Sequence, residues 1–300
     1  MIFILILSLA AVAASLNPPV VAVVTGGTRG LGLGIAQQLA AGGSSLLLTY
    51  NQNRTAAASA AASIVREFPK VRVELVGGDL ALPATRAAIF NKLDESYQDC
   101  RLSSVVHNAG QYVGVTSANC ANLGSVSHLQ FGDGSLLCED GSVDFGPMHY
   151  YQQLYGECWV DLAERAMARM KEHGEGGSIV GISSPGCTVQ YNPQTGYSMP
   201  GSGKSLMEYS MRIYAAQGSK SKIRCNVVVP GVTITDAWTN LAATRGTDRE
   251  TITGGLSKSM GVETMTPREC GGVVAFLCSD AGKHVNGVSL PVDNGLHLKA

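Results

Sequence analysis

Tyr197 and Lys204 stand seven residues apart in the stretch TGYSMPGSGKS, which runs from Thr195 to Ser205. A phenol close to an ammonium can give a hydrogen bond or a proton to an oxygen that gains negative charge, because the nearby cation favours the ionised phenol. Residues four apart on a helix share a face, and so do residues seven apart, one turn further along. Position 201, four beyond Tyr197, is Gly, so this pair has the spacing Tyr-x6-Lys. Pro200 suits a first helical turn, and Gly201 and Gly203 permit close backbone approach. Tyr197 is therefore expected just before a helix and Lys204 on it. Ser184 ends an apolar run thirteen residues before Tyr197 and offers a second hydroxyl donor, while its neighbour Ser183 should face the other way. Tyr191 competes for the role but fits neither spacing to Lys204. An isolated pair of this kind would be a loop tyrosine and a solvated lysine; the surrounding frame decides otherwise.

A second group lies near the start of the chain. Thr25-Gly26-Gly27-Thr28-Arg29-Gly30-Leu31-Gly32 follows the β-branched run VVAVVT and precedes a helical pattern. Glycines at 26, 30 and 32 let the backbone turn sharply and approach a diphosphate, whose charge the helix N-terminus would meet. Such a loop is weak evidence alone. After a first buried strand, inside an alternating strand–helix pattern, it is strong.

That alternation is what must position both groups. Val20 to Gly27 predicts a buried parallel strand, LGLGIAQQLAAGG a helix stopped by Gly42 and Gly43, and SSLLLTY a second strand. RTAAASAAASIVREF, VRVELVGGD, ATRAAIFNKLDESYQ and LSSVVHNAG continue as helix, strand, helix and strand. Residues 111 to 148 break the rhythm: they are rich in Gly and Ser, and Asp133-Gly134 and Asp140-Gly141 are hairpin-turn signals. They predict a loop-rich insertion beside the substrate mouth, since it leaves the fourth strand at its C-terminal end; a surface elaboration with no role in binding is the alternative. The pattern resumes with the helix YYQQLYGECWVDLAERAMARMKEHG, the strand GSIVGISS, the helix GKSLMEYSMRIYAAQG, the strand IRCNVVVPG, the helix PRECGGVVAFLCSD and the strand GVSLPVDNG. The expected fold is α/β, a doubly wound parallel sheet of Rossmann type, in one domain over residues 20–300.

These motifs resemble the short-chain dehydrogenase/reductase family, whose cofactor loop is TGxxxGxG, from Val20 to Leu298. Asp79 in GGDL matches the acid that holds the adenine amino group, with Leu80 beside it. Asn108-Ala109-Gly110 matches the motif ending the fourth strand, and His107 stands where a further Asn often sits. ISS ends the fifth strand, Pro230-Gly231 follows the sixth, and Thr233 and Thr235 come next along the cofactor. Asp293-Asn294-Gly295 stands where the family often has D-G-G. The Tyr-x6-Lys spacing, with Gly201, Glu208 and Arg212, is similar to the enoyl-acyl carrier protein reductases of the family. The resemblance implies that Lys204 binds the nicotinamide ribose hydroxyls, that Tyr197 and Ser184 bond the substrate oxygen, and that Gly26, Thr28, Arg29, Gly30, Leu31 and Gly32 line the diphosphate. The commoner branch places an Asn, which helps a relay water, where Tyr155 falls in this chain; a ketone-reducing relay of that design is thereby in doubt.

Cofactor choice should be legible after the second strand, where an acid would bond the ribose 2′-hydroxyl and repel a 2′-phosphate. Tyr50 and Asn51 occupy that place, and Arg29 and Arg54 supply two cations for a phosphate. NADPH is the expected cofactor. The expected activity is reduction of an enoyl thioester on a small or carrier-bound acyl substrate. A ketone, 3-oxoacyl or other conjugated substrate is the alternative, and a nucleotide-sensing protein without chemistry is the alternative of another class.

The 300 residues carry 22 Lys and Arg against 23 Asp and Glu, a net charge of −1. This balance gives no reason to expect nucleic acid or an anionic membrane surface as partner. Eight cysteines, none closer than eight residues to the next, predict packed thiols rather than a disulfide framework, and no metal site. Residues 1–19 open with an apolar run and small residues, Ala11-Val12-Ala13 fitting a cleavage site, although no Lys or Arg precedes the run. They predict a signal for the secretory route and a spacer, too short for a stable membrane span. Cytoplasmic retention with a packed or disordered extension is the alternative. A homo-oligomer stays open.

Overall fold

A computed structural model describes residues 18–110, 140–185, 187, 198–244 and 246–298. Residues 1–17 of the expected signal and spacer (1–19), most of the insertion (111–139), and Tyr191 and Tyr197 lie outside the described residues. Seven strands, β1 (Val20–Thr25), β2 (Ser45–Tyr50), β3 (Val73–Gly77), β4 (Arg101–His107), β5 (Gly177–Ile182), β6 (Ile223–Pro230) and β7 (Ser289–Val292), form one sheet in the order β3-β2-β1-β4-β5-β6-β7. Every neighbouring pair is parallel. The strand order reverses between β1 and β4, the switch point of an open α/β sheet, beyond whose C-terminal strand ends ligands bind.

The central strands β1 (VVAVVT) and β2 (SLLLTY) are apolar over most of their length because both faces are covered. Val21 and Val23 of β1 pack with Ile89 and Leu93 of α3 (Pro83–Ser96), with Trp159 and Leu162 of α5 (Cys158–His173), and with Met207 and Met211 of α6 (Ser198–Gly218). Ala22 and Val24 point to the other face, against Ile35 and Leu39 of α1 (Gly30–Ala41), Ile64 of α2 (Arg54–Glu67) and Val274 and Leu277 of α9 (Pro267–Cys278). This two-residue alternation makes one domain with two apolar layers.

Three local features differ from the expectations. The helical run that follows the insertion starts as α4 (Gly146–Tyr151), so the stretch expected to be loop up to Met148 already contains its first turn. Between α4 and α5 the backbone widens into a π-turn, Gln152–Glu157. Two helices that the apolar pattern did not predict, α7 (Asp236–Thr244) and α8 (Arg249–Met260), follow β6. The second is bounded by ordinary caps: Asp248 accepts from the Thr251 N–H, and Gly261 closes the helix at φ +58°. No described helix is long and apolar enough to cross a membrane.

Candidate active site

The loop after β1 is shaped by what a side chain would hit. Gly26 has φ +61°, a conformation that favours glycine. A Cβ on Gly32 would lie 2.2 Å from the Gly26 carbonyl oxygen and 2.4 Å from Nδ2 of Asn108. Asn108 Nδ2 fills that space, donating to the carbonyls of Thr25 at 3.0 Å and Gly26 at 3.2 Å. The end of β4 is thereby bolted to the loop. α1 begins at Gly30, and the side chain of its N-cap residue Arg29 accepts no hydrogen bond from the first-turn N–H groups. Gly30 also faces the Thr235 side chain, which brings the segment after β6 over the loop. Thr28 and Leu31 are half-buried beside it. A bare helix N-terminus behind close-packed glycines fits a diphosphate.

At the end of β2 Tyr50 lies across Gly77, and Asn51 and Arg54 are exposed. Neither Arg29 nor Arg54 has a side-chain ion pair or hydrogen bond among the described residues, so both guanidinium groups are available. Asp79 accepts from the Ala81 N–H at 2.9 Å and from the Tyr150 hydroxyl at 3.3 Å. Burial, with Asp79 adding to it, pushes the Tyr150 phenol above its usual range. Leu80 is buried beneath this corner. On the opposite wall Gly231 packs against Asp293, and Thr233 turns its hydroxyl inward to the Gly231 carbonyl at 3.2 Å.

Lys204 occupies the end of β5. Its side chain is buried, at 5% exposure, and Nζ donates to the carbonyls of Ile182 at 3.0 Å and Ser183 at 3.4 Å. Nζ also sits 4.7 Å from the centre of the Tyr155 ring, an electrostatically favourable place for a cation. Tyr155 comes from the π-turn and stacks on Tyr151 of α4, with centroids 5.6 Å apart. Gly203 lets α6 approach this pair, since a Cβ there would lie 2.4 Å from the Tyr151 carbonyl oxygen. Tyr155 also closes on Gly110, whose Cβ position is 3.1 Å from the Tyr155 hydroxyl.

The two serines diverge as expected. Ser183 is buried and bonds the Glu208 carboxylate, which also accepts from Ser289 at 2.9 Å. Burial raises the Glu208 carboxyl, and the Ser183 bond opposes that rise. Ser184 is half-buried, with a long 3.3 Å bond to the Pro185 carbonyl, which leaves its hydroxyl easy to recruit. Cys187 donates to the Ser184 carbonyl at 3.0 Å. Its thiol is raised by burial, and the Lys204 charge pulls the other way. Sequence patterns pointed to Lys204, Ser184 and the glycine loop. They carried no signal for the Tyr150–Asp79 contact.

A model of the short chain dehydrogenase family matches residues 20–127, and one described as enoyl-(acyl carrier protein) reductase matches residues 156–297. A tetrahydroxynaphthalene reductase of Pestalotiopsis fici is 26% identical over 92% of this chain and 90% of its own. An L-rhamnose-1-dehydrogenase of Scheffersomyces stipitis is 27% identical over 94% of this chain and 97% of its own. Among solved structures, the L-sorbose reductase of Gluconobacter frateurii, complexed with NADPH and L-sorbose, is similar at a TM-score of 0.75 and 25% identity, over 93% of this chain and 97% of that one. With the parallel sheet, the glycine loop and the buried lysine in their places, the chain belongs to the short-chain dehydrogenase/reductase family of NAD(P)-dependent oxidoreductases.

Proposed function

We propose that the chain is an NADPH-dependent reductase acting on the conjugated double bond of an enoyl thioester. The observation that carries the reading is Lys204, a buried ammonium at the end of β5, beside Ser184 and seven residues after Tyr197. When bound, the nicotinamide supplies a hydride to the β-carbon, and negative charge then develops on the thioester oxygen. Tyr197 donates a hydrogen bond to that oxygen, Ser184 is the second donor, and the Lys204 charge favours the anionic side of the phenol's equilibrium. Gly26, Gly30 and Gly32 would hold the diphosphate against the start of α1. Asp79 with Leu80 would border the adenosine half of the cofactor and Asn108 to Gly110 the nicotinamide half, and Pro230, Gly231, Thr233 and Thr235 would contact it from the end of β6.

Carbonyl reduction is the second reading. It is supported by the names of the relatives, among them a tetrahydroxynaphthalene reductase and an L-sorbose reductase. A phenol at a developing oxyanion serves both reactions, so assays must separate them. NADPH oxidation with a crotonyl thioester is expected to exceed that with an acetoacetyl thioester. Activity confined to the acetoacetyl substrate would overturn the enoyl reading and leave the reductase reading standing.

Preference for NADPH is supported by the two unpaired guanidinium groups and by Tyr50 and Asn51 in the place of an acid. Replacing Arg29 and Arg54 together by Ala should raise the Kd of NADPH roughly ten- to hundredfold, the worth of a charge-assisted phosphate contact. The Kd of NADH should barely move. Equal binding of the two cofactors by the unaltered protein would sink the preference.

A further inference from the structure

Arg86, in the first turn of α3, is only 5% exposed. Its Nε donates to Oδ2 of Asp161 on α5 at 2.7 Å, and its Nη1 donates to the carbonyls of Leu80 and Ala81 at 3.0 and 2.9 Å. Cations are disfavoured near a helix N-terminus, and burying an ion pair carries a desolvation cost that an apolar residue of similar volume avoids. An apolar side chain would pack α3 on α5 without either penalty. What it would leave behind is the pair of carbonyls. Leu80 and Ala81 are buried, and among the described residues neither carbonyl accepts a main-chain hydrogen bond.

The Leu80 carbonyl and the Ala81 N–H are the two ends of one planar peptide group. The carbonyl end accepts from Arg86, and the N–H end donates to Oδ1 of Asp79 at 2.9 Å. The guanidinium therefore fixes that plane and, through it, the Asp79 carboxylate. A hydrogen bond at one end of a peptide also polarises the group and strengthens the bond at the other. Gly78, at φ +140°, lets α3 press on this corner, since a Cβ there would lie 2.7 Å from Oγ1 of Thr85. Asp161 also accepts from Arg165, so it keeps a cation when Arg86 is replaced.

We propose that Arg86, with Asp161 as its counter-ion, is a positioning residue for the adenosine half of the cofactor, orienting Asp79 through the Leu80–Ala81 peptide. The inference rests on the reading of Asp79 as the acid that takes the adenine amino group. Met at position 86 fills the space and leaves both carbonyls unpaired. Lys keeps the charge but puts its donors on one nitrogen, without the planar fork that serves a carboxylate and two carbonyls together.

The test measures, on full-chain variants, the Kd of NADPH and of adenosine 2′,5′-bisphosphate, which carries the adenosine half alone. It also measures kcat at saturating NADPH. Arg86→Met should raise both Kd values about tenfold, the worth of a hydrogen bond to a charged group. The same change should leave kcat within about twofold, because binding common to ground and transition states moves KM and not kcat. The double variant Arg86→Met with Asp161→Leu removes the ion pair whole and should unfold in denaturant as the unaltered protein does, while its Kd values stay raised. Arg86→Lys should fall between. A folded Arg86→Met variant that binds adenosine 2′,5′-bisphosphate as tightly as the unaltered protein would overturn the proposal. A double variant whose affinity returns with its stability would overturn it too, making the pair a strut of the fold. Should Arg86→Met fail to fold, Arg86→Lys decides by the same two Kd values, unchanged affinity again overturning the proposal. Failure of the Asp79 reading would appear separately, as unchanged affinity in Asp79→Ala.

Discussion

Tyr197→Phe is expected to lower turnover about 10²–10⁴-fold, the usual range for a lost acid–base group. The change keeps the ring and deletes the one atom that the reaction needs. Ser198 is the first residue of α6, so the phenol is joined directly to the helix that carries Lys204. Six helical residues span about 9 Å along the axis, and a helical side chain leans back toward the N-terminus. The long Lys204 side chain follows that lean to reach the carbonyls of Ile182 and Ser183. Its charge therefore stands at the end of β5, next to Ser184, rather than out along the helix. Tyr191→Phe is the control and should do little to turnover or to cofactor affinity. Steady-state NADPH oxidation on both variants, with the best thioester substrate, decides the matter. A Tyr197→Phe enzyme within a few-fold of the unaltered one would remove the phenol from the mechanism.

Much of this architecture could be read from residue patterns, for identifiable reasons. β1 and β2 are buried on both faces, so their apolar runs, VVAVV and LLL, are unbroken and hard to mistake. The glycines at 26 and 32 announce themselves because close backbone approach admits no other residue there. α7 and α8 stayed hidden because DAWTNLAAT and RETITGGLSKSM lack a continuous apolar stripe; only the caps Asp248 and Gly261 marked the second. The π-turn was illegible for another reason. Over six residues an i→i+5 helix and an i→i+4 helix bury almost the same positions, so the apolar pattern cannot tell them apart. Counting along the chain did place Tyr155 where an Asn is common, but not its ring beside Lys204. The partners of His107 are separated from it by 82 residues at Thr25 and 51 at Cys158. Hydrogen bonds over such separations are properties of the folded sheet, not of any local motif.

Lys204→Met is expected to separate function from folding. Nζ has three donors; two are given to main-chain carbonyls, and among the described residues no carboxylate bonds to the ammonium. A buried cation without a paired anion is expensive to desolvate, and the Tyr155 ring and two carbonyls offset only part of that cost. Met keeps the length and packing of the stem and deletes the charge, while two carbonyls lose one donor each. These terms oppose one another, so stability should stay within about 1 kcal/mol of the unaltered protein. Function has no such compensation. The third donor and the positive charge are what a ribose hydroxyl and a developing oxyanion would use, and their loss should cost about 10²–10³-fold in turnover, with weaker NADPH binding. Denaturant unfolding beside steady-state kinetics reads both quantities from one preparation. A variant destabilised by several kcal/mol would make Lys204 a strut of the fold, and one with normal turnover would remove it from the site. A stable, cofactor-weak and nearly inactive variant is the result that an ammonium retained for chemistry requires.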